Sequence, residues 1–454
     1  MKTENNLDTD EIRGLVWRLA IPSMLAQFVS VFYSIVDRMY IGNIAGTGEI
    51  SLAGVGICGP IVTMISSVAF LVGVGGSPLM SIRMGEKNQR AASQILANCF
   101  LLLTVLSVVI TVSAFMAKER LLMWFGASEA TFSYANDYLS ICLLGTIFAL
   151  LSTGMNQFII CQGFAKTGMK SVLLGAVCNI ILDPVFMFVF GLEVRGAAIA
   201  TVLSQMASCI YVLRFLFGNK PPIRITFGGY DWQIMKRVLL LGLSPFLIIA
   251  FDNILIIFLN MMIQHYGGEG QGDMLLTCMT IVQSFMLMVT MPLGGITGGT
   301  QTILGYNYGA GRPDRIKKAS LHISGLALGF TTIMFILAHT VPEYFVLIFT
   351  KNEAYVNLTV WAIKIYTMGI IPLALQYAVV DGFVGMGAAK VAISLSMFRK
   401  VIFLGGAALI PVWFGIEKIF YIEPVSDFIS VAVSLAVTLL VFERVIRKKE
   451  TENC

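Results

Sequence analysis

Two aspartates fall inside predicted membrane-spanning helices, where an ionisable side chain is costly and therefore points to function. Asp37 lies five residues before the end of the first predicted helix near Gly42, and Asp183 lies eight residues before the end of the fifth near Gly191. At a rise of about 1.5 Å per residue, both carboxyl groups are expected roughly 8–12 Å below the same membrane surface. Their matched depth predicts one shared pocket.

Three further polar side chains are expected at this pocket. Asn179 stands one helical turn from Asp183, and Tyr33 stands one turn from Asp37, so each pair shares a helix face. The sixth predicted helix returns from the same surface and brings Thr201 to a similar depth. The oxygen-rich set suits Na+ at Asp37, Asn179, Asp183 and Thr201, whereas two carboxyl groups buried together can hold a proton. The alternative is that each carboxylate only hydrogen-bonds a neighbouring helix.

The composition predicts that these helices lie in lipid. Of the 454 residues, 57% are hydrophobic and 13% are charged, with a mean hydropathy of +0.82, whereas about a quarter of the residues in a soluble domain are charged. Apolar runs longer than about 18 residues are each able to cross a bilayer as a helix. Twelve such runs are predicted, at 15–42, 50–82, 91–117, 133–160, 168–191, 196–218, 234–265, 274–305, 317–341, 355–386, 390–414 and 420–446.

The hydrophobic pattern of the chain contains an internal repeat. Proline and glycine recur at a nearly constant offset of 223 or 224 residues, in the pairs Pro22 and Pro245, Gly85 and Gly309, Gly163 and Gly387, and Gly191 and Gly415. A repeat of this size predicts two similar halves, as in many transporters. The expected fold is an all-α integral membrane protein with two pseudo-symmetric six-helix bundles, at 1–218 and 234–454, joined by a linker at 219–233.

The second half lacks the polar pocket of the first. At the repeat offset, the pocket positions are occupied by Asn260, Phe403, Ala407 and Val425. An ion site confined to one half would allow that half to bend alone. Pro22, fifteen residues before Asp37, is the expected bending point because proline removes a helical hydrogen bond. The alternative for Pro22 is a static kink.

The distribution of positive charge predicts the orientation. With the N-terminus inside, 22 of the 31 Lys and Arg residues fall in the connections and termini on that side, and five fall on the other. Short basic loops stay in the cytoplasm, so both termini are expected there. Topology therefore accounts for the net charge of +5, and no nucleic-acid partner is needed.

Motifs for enzymatic chemistry are missing from the sequence. It contains no phosphate-binding loop of the GxxxxGK[ST] type, and its three histidines, His265, His322 and His339, are far apart. The eight cysteines are scattered, and their pattern favours small core residues over disulfides or a metal site. The chain is therefore predicted not to be an enzyme, to need no cofactor and to have no obligate protein partner.

Two acids of the second half also fall within predicted helices. Asp252 lies in the middle of the seventh helix, either facing a cavity as the counter-charge of a cationic substrate or packed between helices. Asp381 lies near the inner end of the tenth helix, where an ion pair with Arg399 or Lys400 is the preferred interpretation.

Three stretches resemble one transporter family: AIPSMLAQFVSVFYSIVDRMYIG at 20–42, CNIILDPVFMFVFGLEVRGAAIATVLSQ at 178–205, and the Gly85-Glu86-Lys87 loop. They are similar to the MATE (multidrug and toxic compound extrusion) transporters, in the DinF/MepA-like bacterial branch. The resemblance implies two six-helix bundles forming a V in a bacterial inner membrane, and a secondary antiporter that exports cationic amphipathic compounds in exchange for inward H+ or Na+. It matches Asp37, Asn179, Asp183 and Thr201 to the cation pocket, with Tyr33 and Asn156 beside it and Pro22 in the bending helix.

Other functions remain alternatives. A lipid-linked oligosaccharide flippase or polysaccharide exporter of the same superfamily should present several cations to its cavity, whereas the intramembrane cations here are few and have acids nearby. A major-facilitator carrier shares the helix count, but the sequence SIRMGEKNQR after the second helix lacks its GxxxDRxGRR pattern. A membrane scaffold or receptor would leave the matched acids unexplained.

Overall fold

The computed structural model describes residues 5–42, 44, 48–125, 127, 129–267 and 271–452, so that Lys2 of the predicted cytoplasmic set and Cys454 lie outside it. Within these residues the chain is helical and forms no β-strand. The α-helices are α1 (Ile12–Gly42), α2 (Gly48–Gly85), α3 (Gln89–Trp124), α4 (Glu129–Leu144), α5 (Thr146–Ile160), α6 (Ala165–Pro184), α7 (Glu193–Phe217), α8 (Trp232–Gly267), α9 (Gln271–Gly309), α10 (Pro313–Thr340), α11 (Pro342–Val346), α12 (Glu353–Tyr366), α13 (Ile370–Gly385), α14 (Ala389–Phe414) and α15 (Ile422–Glu452). A π-helix covers Val185–Val189, and 3-10 helices cover Thr367–Gly369 and Ile416–Tyr421.

Twelve membrane spans are present when one bent pair is counted as a single span. Eleven helices in the described part of the chain are long and apolar enough to cross a membrane by themselves, and α12 and α13 together form one of them. The pair α4 and α5 forms the twelfth, bent by 55°. Gly145 lies at this bend, where a Cβ atom would stand 2.5 Å from Cγ2 of Val202 in α7. The predicted all-α fold with twelve spans is confirmed.

The helices of the two halves cross through equivalent glycines. A Cβ atom added at Gly85 of α2 would lie 2.0 Å from the carbonyl oxygen of Tyr306, and one added at Gly309 of α9 would lie 2.0 Å from that of Ile82. At the repeat offset of 224, Ile82 corresponds to Tyr306 and Gly85 corresponds to Gly309. The two contacts are therefore equivalent to each other in the repeat. They lie at the face formed by the connections 86–88 and 310–312, called the basic face here because it carries Arg83, Lys87, Arg312 and Arg315.

A second pair of crossings lies deeper in the protein. A Cβ atom at Gly299 of α9 would lie 2.4 Å from Oγ of Ser23 in α1, and one at Gly242 of α8 would lie 1.7 Å from the carbonyl oxygen of Leu71 in α2. Gly299 is equivalent to Gly75, which packs on Gly242 in turn. The duplicated sequence therefore produces duplicated contacts, in which a glycine allows another helix to approach closely.

The N-terminal segment ties the two halves together at the basic face. Asn5 donates its side-chain amide to the carbonyl oxygen of Gly163 in the first half at 2.7 Å. Arg312 of the second half forms an ion pair with Asp8 at 2.5 Å, and Arg315 donates to the carbonyl oxygen of Asp10 at 3.0 Å. The segment therefore contacts both halves at the same end of the protein.

Candidate functional site

Asp183 lies where the geometry of its helix changes. Pro184 follows it and ends α6, since proline has no N–H to continue the ladder of hydrogen bonds. The chain continues as a π-helix, in which the N–H of Phe190 donates to the carbonyl oxygen of Val185 at 3.0 Å. Gly196 at the start of α7 packs against this turn, with a Cβ position only 2.7 Å from the carbonyl carbon of Phe186. Wider turns of this type often occur at functional sites.

The carboxyl groups of Asp37 and Asp183 are in hydrogen-bonding contact across α1 and α6. Asn179, one turn before Asp183, donates its side-chain amide to Oδ1 of Asp183 at 3.1 Å. Asp183 and Asn179 are buried, and Asp37 is half-buried. Two carboxyl groups can share a hydrogen bond only when one of them carries a proton, because an ionised carboxylate has no donor.

Three oxygen atoms at this pair are buried and receive no hydrogen bond from the part of the protein described. They are Oδ1 of Asp37, Oδ2 of Asp183 and Oδ1 of Asn179. A buried acceptor without a donor is costly, so the arrangement favours a positively charged ligand. The three atoms can hold one proton between the carboxyl groups, or contribute part of the oxygen shell of a cation.

Tyrosines from two helices surround the pair. Tyr33 of α1 lies close enough to interact electrostatically with both Asp37 and Asp183. Tyr138 and Cys142 of α4 interact in the same way with Asp37. The sequence analysis did not identify these two residues, and a tyrosine and a cysteine in an apolar run gave no signal that could distinguish them from core residues.

Thr201 lies beside the pair without joining it. It lines a cavity of about 40 Å³ between α2, α4, α5 and α7, together with Ser66, Tyr138, Thr146 and Gln205. Within the described chain, Thr201 makes no hydrogen bond to Asp37, Asn179 or Asp183. Tyr138 is the link, since it lines the cavity and also interacts with Asp37.

Asn156 does not lie beside the carboxylate pair, contrary to the expectation from the family resemblance. Its Oδ1 accepts a hydrogen bond from Oγ of Ser171 at 3.2 Å, and the side chain is buried between α5 and α6. Ser171 precedes Asp183 by twelve residues, which corresponds to about 18 Å along a helix. Asn156 therefore joins two helices of the first half at a different depth.

Pro22 lies within a continuous α1 at the crossing between the halves. The residue is buried, and its neighbour Ser23 is the contact point of Gly299 in α9. Because proline donates no hydrogen bond, the carbonyl group of Arg18 loses its usual helical partner. The weak point of α1 thus coincides with its contact to the second half.

Asp252 forms an ion pair with Lys400 of α14. Its side chain is 45% exposed, whereas that of Lys400 is 10% exposed. The carboxylate of Asp252 is therefore both exposed and paired with a cation. It fits neither of the two predicted roles fully, because it is not a free counter-charge and is not packed in the core.

Asp381 forms no ion pair with any described residue, so the predicted pairing with Arg399 or Lys400 was wrong. Its carboxylate accepts hydrogen bonds from Oγ1 of Thr297 at 2.5 Å and from Nε2 of Gln301 at 3.0 Å, both on α9. Arg399, one of its expected partners, instead binds two acids of α15. Nη2 of Arg399 lies 2.5 Å from Glu423, and Nε donates to Asp427 at 2.9 Å.

Glu423 and Asp427 were missed in the sequence analysis. Both fall within the twelfth predicted span, so the rule that singled out Asp37 also applied to them. Their four-residue spacing places them on one helix face. The equivalent positions of the first half are Ile199 and Leu203, so each half has buried acids where the other has none.

Comparison with known proteins gives a consistent result. The MatE family model matches residues 22–185 and 249–407, one segment in each half. The multidrug export protein MepA of Staphylococcus aureus (strain N315) is 23% identical over 420 residues, covering 92% of this chain and 90% of that protein. MepA of Staphylococcus haemolyticus (strain JCSC1435) is 22% identical over 428 residues, covering 93% and 91%.

The fold is also found among solved structures. The outward-facing conformation of a multidrug resistance MATE family transporter of the MOP superfamily matches with a TM-score of 0.91 at 21% identity, covering 98% of this chain and 99% of that one. The family match in both halves and the shared twelve-span fold lead to one assignment: this chain belongs to the MatE family.

Proposed function

We propose that the chain is a secondary multidrug antiporter that exports cationic amphipathic compounds in exchange for protons bound at Asp37 and Asp183. Membership of the MatE family makes it a membrane transporter rather than an enzyme. The observation that carries the proposal is the contact between the two carboxyl groups, each of which has a buried oxygen that receives no donor from the described protein. The relatives named as multidrug export proteins support the substrate class.

A proton suits the pair better than Na+. A sodium ion needs several oxygen ligands around it, and among the described residues three buried oxygens without a hydrogen-bond partner belong to this site. Thr201, which would supply a fourth, lies on the neighbouring cavity, and within the described chain it makes no hydrogen bond to the carboxylates. A proton needs no shell, and it supplies the donor that two touching carboxyl groups lack.

The exchange can move α1. When the shared proton leaves, two ionised carboxylates face each other, and unit charges 4 Å apart repel by about 4 kcal/mol at an effective dielectric constant of about 20. This repulsion acts between α1 and α6. Pro22 offers α1 a place to bend, and the Ser23–Gly299 contact passes the bend to the second half. Binding of a proton removes this repulsion, and the hydrogen bond between the carboxyl groups draws α1 back toward α6.

The charges of the second half fit a cationic substrate better than a phosphate-bearing one. Lys400 is paired with Asp252, and Arg399 is paired with Glu423 and Asp427. These two cations are therefore already neutralised by acids. A flippase for lipid-linked oligosaccharides would need free cations for its pyrophosphate, so the observed pairing argues against that alternative.

The proposed setting is the plasma membrane of a bacterium. We assign the basic face to the cytoplasm because its connections carry the excess of Lys and Arg. Both termini then lie inside, and the bundles at 1–218 and 234–454 operate as two moving halves joined by 219–233. Small organic cations and the lipid bilayer are the partners that this function requires, with H+ as the coupling ion and no cofactor.

Everted vesicles with an imposed proton or sodium gradient test the proposal. Efflux of a fluorescent organic cation should follow the proton gradient, and Asp37→Asn and Asp183→Asn should each abolish it. Asp137→Asn is the matched control, because that acid is held in an ion pair with the exposed Arg195. Undiminished efflux in both variants would refute the assigned pocket, and efflux driven by sodium alone would refute the assigned ion.

A further inference from the structure

The second half contains a buried cluster of two acids and one arginine. Glu423 and Asp427 lie one turn apart on α15, and both contact Arg399 of α14, at 2.5 Å and 2.8 Å from Nη2. Asp427 is 0% exposed and Glu423 is 7% exposed. This cluster lies inside a predicted membrane span and has no counterpart at Gly175, Ile199 and Leu203 of the first half.

The charges of the cluster do not balance. Arg399 supplies one positive charge, whereas two ionised carboxylates would supply two negative charges. Lys400 is also nearby, but it forms its ion pair with Asp252 of α8. The other titratable groups that interact with the cluster are the tyrosines Tyr366 of α12 and Tyr377 of α13, which are ordinarily neutral. One uncompensated negative charge buried in a membrane protein costs several kcal/mol.

One oxygen of Asp427 has no partner. Oδ1 accepts the hydrogen bond from Arg399, but Oδ2 is buried and receives none from the described residues. The hydroxyl oxygens of Ser426 and Ser430, on the same stretch of α15, are also buried without a partner there. The unpartnered carboxyl oxygen therefore belongs to the same cluster that carries the uncompensated charge.

The backbone at Gly369 packs closely on this carboxyl group and restricts the space for a metal ion. A Cβ atom added at Gly369 would lie 2.8 Å from Oδ2 of Asp427 and 2.7 Å from its Cβ, so the backbone of the 3-10 helix closes over the carboxyl group. The guanidinium group of Arg399 would also repel a metal cation. A proton needs no space and is not excluded by either feature.

We propose that Asp427 and Glu423 share one bound proton, and that the second half thus contains a proton-binding site separate from Asp37 and Asp183. The shared proton leaves one negative charge opposite Arg399, so the cluster becomes neutral. The site does not depend on the role proposed for the first half. Lys400, the sequence neighbour of Arg399, pairs with Asp252 of α8, whose side chain is 45% exposed.

Infrared spectroscopy of the full-length protein in lipid nanodiscs tests this site. A protonated carboxyl group absorbs in its own C=O stretching band, which an ionised carboxylate lacks. The background is the Asp37→Asn/Asp183→Asn variant, so that the first-half pair cannot contribute. At neutral pH this background should show the band, and adding Asp427→Asn should remove about one carboxyl group's share of it.

Asp381→Asn is the matched control, because Thr297 and Gln301 already donate to both oxygens of Asp381. In this background it should leave that share of the band unchanged. Glu423→Gln provides a second route: it leaves one carboxylate opposite Arg399, so Asp427 should ionise and the same share should disappear. If the folded Asp427→Asn protein keeps the whole band, the proposal is wrong; if that variant does not fold, the Glu423→Gln protein decides in the same way.

Discussion

Gly85 and Gly309 are equivalent residues of the two halves, and each packs against the backbone of the other's helix. Their Cβ positions would both lie 2.0 Å from a carbonyl oxygen, of Tyr306 and of Ile82 respectively. The helices α2 and α9 can meet at the basic face only because neither position has a side chain. The close approach of α2 and α9 at this face therefore requires glycine at both positions.

Gly85→Ala and Gly309→Ala should each open the basic face, because the added methyl group overlaps a backbone oxygen that cannot move alone. Spin labels on α2 and α9 should report a longer separation than in the wild type. Gly298→Ala is the control, since a Cβ atom there meets nothing within 4 Å. An unchanged separation in both variants would contradict this account of the contact.

Asn179→Ala should weaken proton-driven efflux by roughly 10- to 100-fold, because a hydrogen bond to a charged group contributes about 1.5–3 kcal/mol. The substitution removes the side-chain amide that donates to Oδ1 of Asp183 at 3.1 Å. Initial efflux rates at several pH values measure it. Asn156→Ala serves as the comparison: its partner is Ser171, so it should lower thermal stability without changing the pH dependence.

Thr201→Ala should leave proton-driven efflux within about twofold of the wild type, because Thr201 lines the adjoining cavity and makes no bond to the carboxylates. The measurement is the same dye efflux under an imposed proton gradient. A loss as large as that of Asn179→Ala would show that the hydroxyl group belongs to the ion site and would favour Na+.

Pro22→Ala should stabilise α1 and slow transport. The substitution restores a helical hydrogen bond, and proline within a helix costs about 3 kcal/mol relative to alanine. Thermal unfolding should move to higher temperature, binding of a fluorescent cation should persist, and efflux should fall. Pro60→Ala in α2 is the control, because Pro60 also lies within a helix. Normal efflux in Pro22→Ala would show that bending at this residue is not required.

Arg399→Met should destabilise the protein by about 3–5 kcal/mol, because it leaves two buried carboxyl groups without their cation. Lys400→Met should cost less, since the side chain of Asp252 is 45% exposed. Thermal unfolding in detergent compares the two variants. Lower pH should partly restore the Arg399→Met protein, because protonation neutralises the acids; equal losses in both variants at every pH would contradict the proposed charge balance.

The sequence predicted which polar residues lie close together where this depends only on position along a helix. Asp37 and Asp183 were placed at one depth by counting residues, and the structure brings their carboxyl groups into contact. Asn179 was assigned from its four-residue spacing, which fixes neighbours on one helix. Asn156 could not be placed in this way, because its position depends on how α5 turns against α6 after the bend at Gly145.

The sequence also could not identify which side chains on different helices bind each other. Asp381 had two possible cations by sequence position, yet Thr297 and Gln301 of α9 bind it and Arg399 turns to α15. Helical rotation decides such choices, and a rotation of one residue, about 100°, changes the partner.

The sequence alone determined that the chain is a membrane protein of twelve spans with a repeated pattern, since both properties follow from hydropathy and from the spacing of glycine and proline. The tertiary structure decided which polar groups meet. It paired Asp37 with Asp183, left Thr201 in the adjoining cavity, and joined Arg399 to two acids of α15. The physical reason is that hydropathy is a property of each segment, whereas a hydrogen bond between helices depends on their packing and rotation.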